Sequence, residues 1–230
     1  MAAAIAHAAR GGMTRSGRLI TFEGGEGAGK TTQIERLAGA LRDAGIDALV
    51  TREPGGTPGA EQIRTLLLEG APERWLPLTE VLLLLAARHD HVVRRIAPAL
   101  RAGHWVLCDR FIDSTRVYQG IAGAVGEAVI ARLHDVILGD LRPDLTVVLD
   151  VPVALGLGRR RAAAGEHRYE QMASAFHERV RDGFLAVARA EPERCMVIDA
   201  SRPAHVVAND VRALVACRFG LDLGRAAERS

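Results

Sequence analysis

Apolar residues along the chain gather in short runs rich in β-branched side chains: Arg18–Phe22 (RLITF), Ala48–Thr51, Trp105–Cys108, Leu145–Asp150 (LTVVLD) and Cys195–Asp199 (CMVID). The runs are almost continuous in apolar character, as expected of strands buried on both faces. Longer segments between them follow helical spacing. Ile34, Leu37, Ala38 and Leu41 fall at i, i+3, i+4 and i+7, and Gly45 offers a C-terminal stop. Leu78–Leu100 and Val206–Val215 show the same periodicity. Alternation of this kind predicts an α/β fold, a five-stranded parallel sheet with helices on both faces. No internal repeat or interior linker interrupts it. The expected organisation is a disordered tail over residues 1–17, a single domain over 18–218 and a second tail over 219–230.

Composition narrows the partners more than the fold. Apolar residues make up 48% and charged residues 25%, an ordinary globular mix, and the net charge is only +2. Neither a nucleic acid nor a membrane partner is expected from so small a charge. No apolar run reaches the roughly 18 residues of a membrane span. The longest, Val81–Ala87, is closed off by Glu80 and Arg88. The first 17 residues lack the apolar core of a secretory signal, and Met13 is an alternative start. Cys108, Cys195 and Cys217 show no CxxC spacing and no even pairing, so they read as thiols of a reducing, cytoplasmic compartment. His89 and His91 stand two apart on a predicted helix and point in different directions, which argues against a metal site there. Trp75 and Trp105 are expected to pack.

One lysine carries the candidate chemistry. Of 30 basic residues 29 are arginine, and the exception, Lys30, lies in Gly24-Gly25-Glu26-Gly27-Ala28-Gly29-Lys30-Thr31-Thr32. Residues 24–31 match GxxxxGK[ST] and stand between a predicted strand and a predicted helix, the context this phosphate-binding motif requires. Its glycines let successive backbone N–H groups converge on phosphate oxygens, and the helix N-terminus adds a positive dipole end. Lysine supplies a compact, mobile charge that the planar guanidinium of arginine cannot replace. Thr31 offers a hydroxyl to Mg²⁺. The motif makes ATP with Mg²⁺ the expected ligands, and the fold a P-loop NTPase fold.

A second acidic position follows from Trp105-Val106-Leu107-Cys108-Asp109. An aspartate ending such a strand is expected across from the phosphate loop, where it holds Mg²⁺. An ordinary Asp–Arg pair is the alternative. Arg110 beside it suits a second phosphate group. Glu23, just before the loop, is either a further metal carboxylate or an acceptor that braces the loop.

With these residues in place, the chain resembles the bacterial thymidylate kinase family, nucleoside monophosphate kinases that convert dTMP to dTDP. The resemblance spans Arg18 to about Val215. It rests on the phosphate loop preceded by FEG, Thr51-Arg52-Glu53-Pro54-Gly55-Gly56-Thr57, Asp109-Arg110-Phe111 with Ser114-Thr115 and Tyr118-Gln119-Gly120, Arg142-Pro143-Asp144-Leu145-Thr146, and a basic lid ending Arg168-Tyr169-Glu170. It implies that Glu53 faces the nucleotide sugar or a metal-bound water and that Pro54 stiffens its turn. Arg64 and Arg110 would grip the dTMP phosphate, and Arg88 would reach a thymine carbonyl. Thr115 and Gln119 would meet the base edge, and Tyr118 would pack by the sugar. The loop contains no arginine, so a lid over about residues 156–170 must supply the transition-state cation: Arg159 or Arg161, supported by Arg168. The family also implies a homodimer, to which Leu78–Leu100 could contribute a face.

Three positions depart from the family pattern. Leu84 stands where a phenylalanine usually stacks on thymine. Ile121–Ala124 replaces a frequent glycine–arginine pair, and Ala163 a basic lid residue. These touch base selectivity rather than reaction type. The rival readings are a kinase for another nucleoside monophosphate or a deoxynucleoside, and a non-kinase ATPase or switch. A guanine-reading NKxD motif is impossible in a chain whose one lysine is Lys30.

Overall fold

The structure, a computed structural model, describes residues 17–71, 73–161, 169 and 172–224, with the Arg161 side chain excepted. Arg168, Ala163 and residues 1–16 and 225–230 of the predicted tails lie outside these residues. Strand β1 (Leu19–Glu23) leads through the glycine loop into α1 (Lys30–Asp43), then β2 (Ala48–Arg52), α2 (Pro58–Leu68) and α3 (Pro77–His91). A π-helical turn (Val92–Ile96) joins α3 to α4 (Ala97–Arg101), followed by β3 (Trp105–Asp109) and α5 (Ile112–Thr115). A second π-helical turn (Arg116–Ile121) precedes α6 (Glu127–Leu138), β4 (Leu145–Asp150), α7 (Val153–Arg161), α8 (Ser174–Ala190), β5 (Cys195–Asp199) and α9 (Ala204–Phe219).

All strands pair in parallel, in the order β2-β3-β1-β4-β5. Side chains alternate across the sheet. Ile20, Phe22 and Leu107 meet α1 and α9 on one face, whereas Leu19, Val106 and Cys108 meet Ile96 and Leu100 on the other. The central strands are buried on both faces, as their apolar runs predict. The edge strands are not: Val50 on β2 and Met196 and Val197 on β5 are exposed, because a strand at the edge lacks a neighbour and full helical cover.

Two further expectations change. Leu78–Leu100 is not one regular helix. Its i→i+5 turn, where the Ala97 N–H donates to the Val92 carbonyl, comes just before Pro98, which has no N–H to offer. Within the C-terminal tail expected from residue 219, the Phe219 ring packs edge-on against Trp105 at 4.9 Å and Leu223 is buried.

The register of β1 on β3 pairs Phe22 with Asp109, so the loop leaving β1 and the turn leaving β3 emerge side by side at one sheet end. Side chains also anchor the starts of strands, at the opposite end of the sheet. Asp144 accepts from the Leu19 N–H at 2.7 Å and fixes the start of β1. Arg194, just before β5, grips buried Asp113 with two bonds of 2.7 and 2.9 Å and so ties α5 to the sheet.

Candidate active site

Residues 24–29 turn sharply between β1 and α1. Gly27 has φ +65°, and a Cβ there would stand 1.9 Å from the Gly156 carbonyl oxygen; a Cβ on Gly156 would stand 2.4 Å from the Glu26 oxygen. The loop and α7 therefore meet backbone to backbone, an approach only glycine permits. Gly25 and Ala28 complete the loop, Thr32 lies in the first turn of α1, and no side chain caps the first amides of that helix. Such N–H groups form an anion site. The Lys30 ammonium lies within the loop and donates to the Gly24 and Gly25 carbonyls at 3.2 and 2.9 Å. Burial, and then the nearby Arg110, lower its pKa. Thr31 Oγ1 donates to Asp109 Oδ2 at 2.9 Å, which brings the two predicted metal ligands together.

Arg110 connects the loop to the end of β3. Its backbone is left-handed at φ +66°, a conformation that costs a non-glycine residue on the order of 1 kcal/mol. Its N–H donates to the Phe22 carbonyl at 2.9 Å. The guanidinium reaches the Gly24 carbonyl and Ser114 Oγ, both at 3.2 Å, and Glu26 Oε1 at 2.8 Å, and it lies 5.0 Å from the centre of the Tyr118 ring. Tyr118 donates its hydroxyl to the same Glu26 oxygen at 2.9 Å. Burial opposes ionisation of Glu26, but Arg110 and Lys30 overcome it and hold its carboxyl at about 2.

Glu23 takes the bracing role of the two open to it. Its oxygens accept from the Phe111 N–H at 2.7 Å, the Ser114 N–H at 3.3 Å and the Ser114 hydroxyl at 2.6 Å. Burial, reinforced by Asp113, pushes its pKa up to about 7. Both oxygens thus serve the turn after β3, and a metal role would have to compete with these bonds.

Glu53 lines the cavity, but protein groups engage its carboxylate. It is buried, with one oxygen 2.6 Å from Arg88 Nε and the other 3.1 Å from His91 Nδ1. Thr115, which also lines the cavity, accepts from Arg88 through its Oγ1. The Pro54 carbonyl, after a cis peptide bond, accepts from Arg64 at 2.8 Å. Half-buried Leu84 lines the cavity between these groups. Gln119 donates its amide to Glu80 at 2.7 Å, and the Tyr169 hydroxyl donates to the same carboxylate oxygen at 2.9 Å.

The lid expectation changes in part. Of the lid expected over about residues 156–170, residues 156–161 end α7, and 162–168 and 170 lie outside the described residues. Arg159 donates to the Ala200 and Ser201 carbonyls at 2.8 and 3.0 Å, so the turn after β5 holds it. Glu80, His91 and His134 were not legible as site residues, because each acts on a partner far away in the sequence. Lys30, Thr31, Arg64, Arg88, Arg110 and Arg159 share one cavity of about 950 Å³. Its cationic walls suit phosphate-rich ligands. No group of three or more metal-binding side chains occurs among the described residues.

A family profile described as Thymidylate kinase matches residues 22–211. The chain belongs to the thymidylate kinase family. Thymidylate kinase of Caulobacter vibrioides is 54% identical over 205 residues, covering 89% of this chain and 99% of that protein. Thymidylate kinase of Dinoroseobacter shibae is 55% identical over 200 residues, 86% of this chain and 96% of the relative. The crystal structure of thymidylate kinase from Ehrlichia chaffeensis superposes with a TM-score of 0.71 at 35% identity, covering 86% of this chain and 98% of that one. The residues that the family profile matches, 22–211, include the loop, the Asp109–Arg110 turn and the arginines of the cavity.

The Glu26 carboxyl titrates near 2 when folded against an ordinary 4.5. Its stabilising contribution is therefore complete above about pH 4.5 and lost as pH falls through about 2. Glu26→Gln should denature at lower urea than the native chain at pH 7. The gap should narrow steadily between about pH 5 and 3; a gap independent of pH contradicts the ion-paired assignment.

Proposed function

We propose that the cavity holds ATP along the Gly24–Thr32 loop and dTMP against Arg64, Arg88 and Arg110, and that the γ-phosphoryl group passes directly between them to give dTDP. The observation that carries this reading is Arg110, which bonds the Gly24 carbonyl and Glu26 of the loop while standing beside the Thr31–Asp109 contact. One guanidinium thus lies where two anionic nucleotides must meet. The acceptor is already a phosphate anion, so no strong general base is required. Positioning and charge neutralisation suffice.

Lys30 follows the β- and γ-phosphates. Thr31 and Asp109 offer hard oxygen donors, the kind of small protein share that Mg²⁺ takes when phosphates complete its shell. When bound there, Mg²⁺ neutralises charge on the donor phosphates. Arg159, which lines the cavity and is held by the turn after β5, or Arg161 follows the transferring group, with Arg168 in support. On the acceptor side, Arg88 offers an N–H to a base carbonyl, and the Gln119 carbonyl faces the base N–H. Tyr118 packs at the sugar.

We also assign a homodimer and a cytoplasmic location to this reading. Leu78 and Leu82 on α3 and Val129 and Val136 on α6 are exposed apolar side chains that a second copy could cover. No described helix is long and apolar enough to cross a membrane.

ADP release measured with dTMP, dUMP, CMP, AMP and no acceptor tests the assignment. Turnover should be fastest with dTMP and negligible without acceptor, and Lys30→Ala should lower kcat by about 100-fold or more. Equal rates across acceptors, or full activity in Lys30→Ala, would contradict it. Leu84→Phe restores a stacking face worth on the order of 1 kcal/mol, so the KM for dTMP should fall by about fivefold. An unchanged KM would mean that Leu84 does not touch the base.

A further inference from the structure

We infer that His134, on α6, is a positioning residue for acceptor recognition: its Nε2 accepts from Arg88 and fixes the guanidinium plane that faces the base. The inference rests on the reading of Arg88 as a base-binding residue. A guanidinium has five N–H donors and no acceptor. Four of Arg88's five are met by protein groups. Nε donates to Glu53 at 2.6 Å, Nη1 to Thr115 at 3.1 Å and to His134 at 2.8 Å, and Nη2 to the Phe111 carbonyl at 2.9 Å. The Phe111 ring lies 5.3 Å from the guanidinium carbon. These partners come from the turn after β2, from the β3–α5 segment and from α6, so they clamp the plane from several directions. One Nη2 N–H remains for a ligand.

Because Arg88 can only donate, the 2.8 Å contact requires a lone pair on His134 Nε2 and therefore a ring protonated at Nδ1 alone. The surroundings enforce this. Burial, and then Arg88, Arg142 and Arg116, press the His134 pKa down to about 3. Both residues are buried, at 3% exposure for Arg88 and 6% for His134, so water does not easily substitute for the ring. Removing the acceptor leaves a charged N–H without a partner and lets the guanidinium turn away from the base. Nothing in this scheme touches the phosphate loop, so the ATP half of the site is unaffected.

The test compares His134→Leu, which fills the space without an acceptor, with His134→Gln, whose terminal oxygen can occupy the Nε2 position. His134→Leu should raise the KM for dTMP by about tenfold, with kcat and the KM for ATP within about twofold of the native enzyme. His134→Gln should return the dTMP KM to within about threefold. Should His134→Leu fail to fold, His134→Asn, polar but too short to reach Arg88, takes its place with the same expected rise. An unchanged dTMP KM, equal impairment by Gln and Leu, or parallel rises in both KM values would overturn the inference. Arg88→Lys, measured alongside as the ratio of kcat/KM for dTMP over dCMP, isolates the parent reading. An unchanged ratio there removes Arg88 from base recognition, and with it the role of His134. A reduced ratio with no effect of His134→Leu removes only the role of His134.

Discussion

The parallel pairing of β1 with β3 is the constraint from which the site follows. With Phe22 opposite Asp109, the phosphate loop and the acidic turn leave the sheet as neighbours, and no longer-range device is needed to bring donor and acceptor sites together. Arg110 completes the junction. Its left-handed backbone turns the side chain back over the loop, where the Gly24 carbonyl, Glu26 and the face of Tyr118 receive it. The strain is local and small against a charge-assisted pair in a partly buried setting. Thr31 and Asp109 meet at the same junction, so metal and phosphate ligands share one rigid frame.

Around this junction most arginines are held before any nucleotide arrives. Arg88 is clamped by Glu53, Thr115, His134 and a carbonyl; Arg64 by the Pro54 carbonyl; Arg159 by the turn after β5. Preorganised donors need little reordering when an anion binds, which favours charge neutralisation during transfer. The same arrangement occupies two carboxylates of the site. Glu23 and Glu53 serve the backbone and the arginines that present the ligand-binding surface.

Much of the fold was legible in the sequence, and for identifiable reasons. The strands show as apolar runs because the central ones are covered on both faces, and the loop shows because its function depends on backbone shape and a single lysine. The edge strands misled in burial because their composition does not record their place in the sheet. Helix α6 is hard to read, since Val129 and Val136 face outward and blur its apolar stripe. The roles of Glu53, Thr115 and His134 were not legible. Their common partner, Arg88, lies 35, 27 and 46 residues away from them, and no spacing rule marks such a cluster. Arg159 was expected in a lid, and its carbonyl partners were not legible, because a side chain's direction depends on a turn about 40 residues downstream.

The most direct measurement of the central claim is steady-state inhibition by a single molecule in which adenosine and thymidine are joined through five phosphates. If the loop and the Arg110 turn form one continuous site, the compound must compete with ATP and with dTMP alike. Competition with only one of the two nucleotides would place donor and acceptor apart and contradict the account.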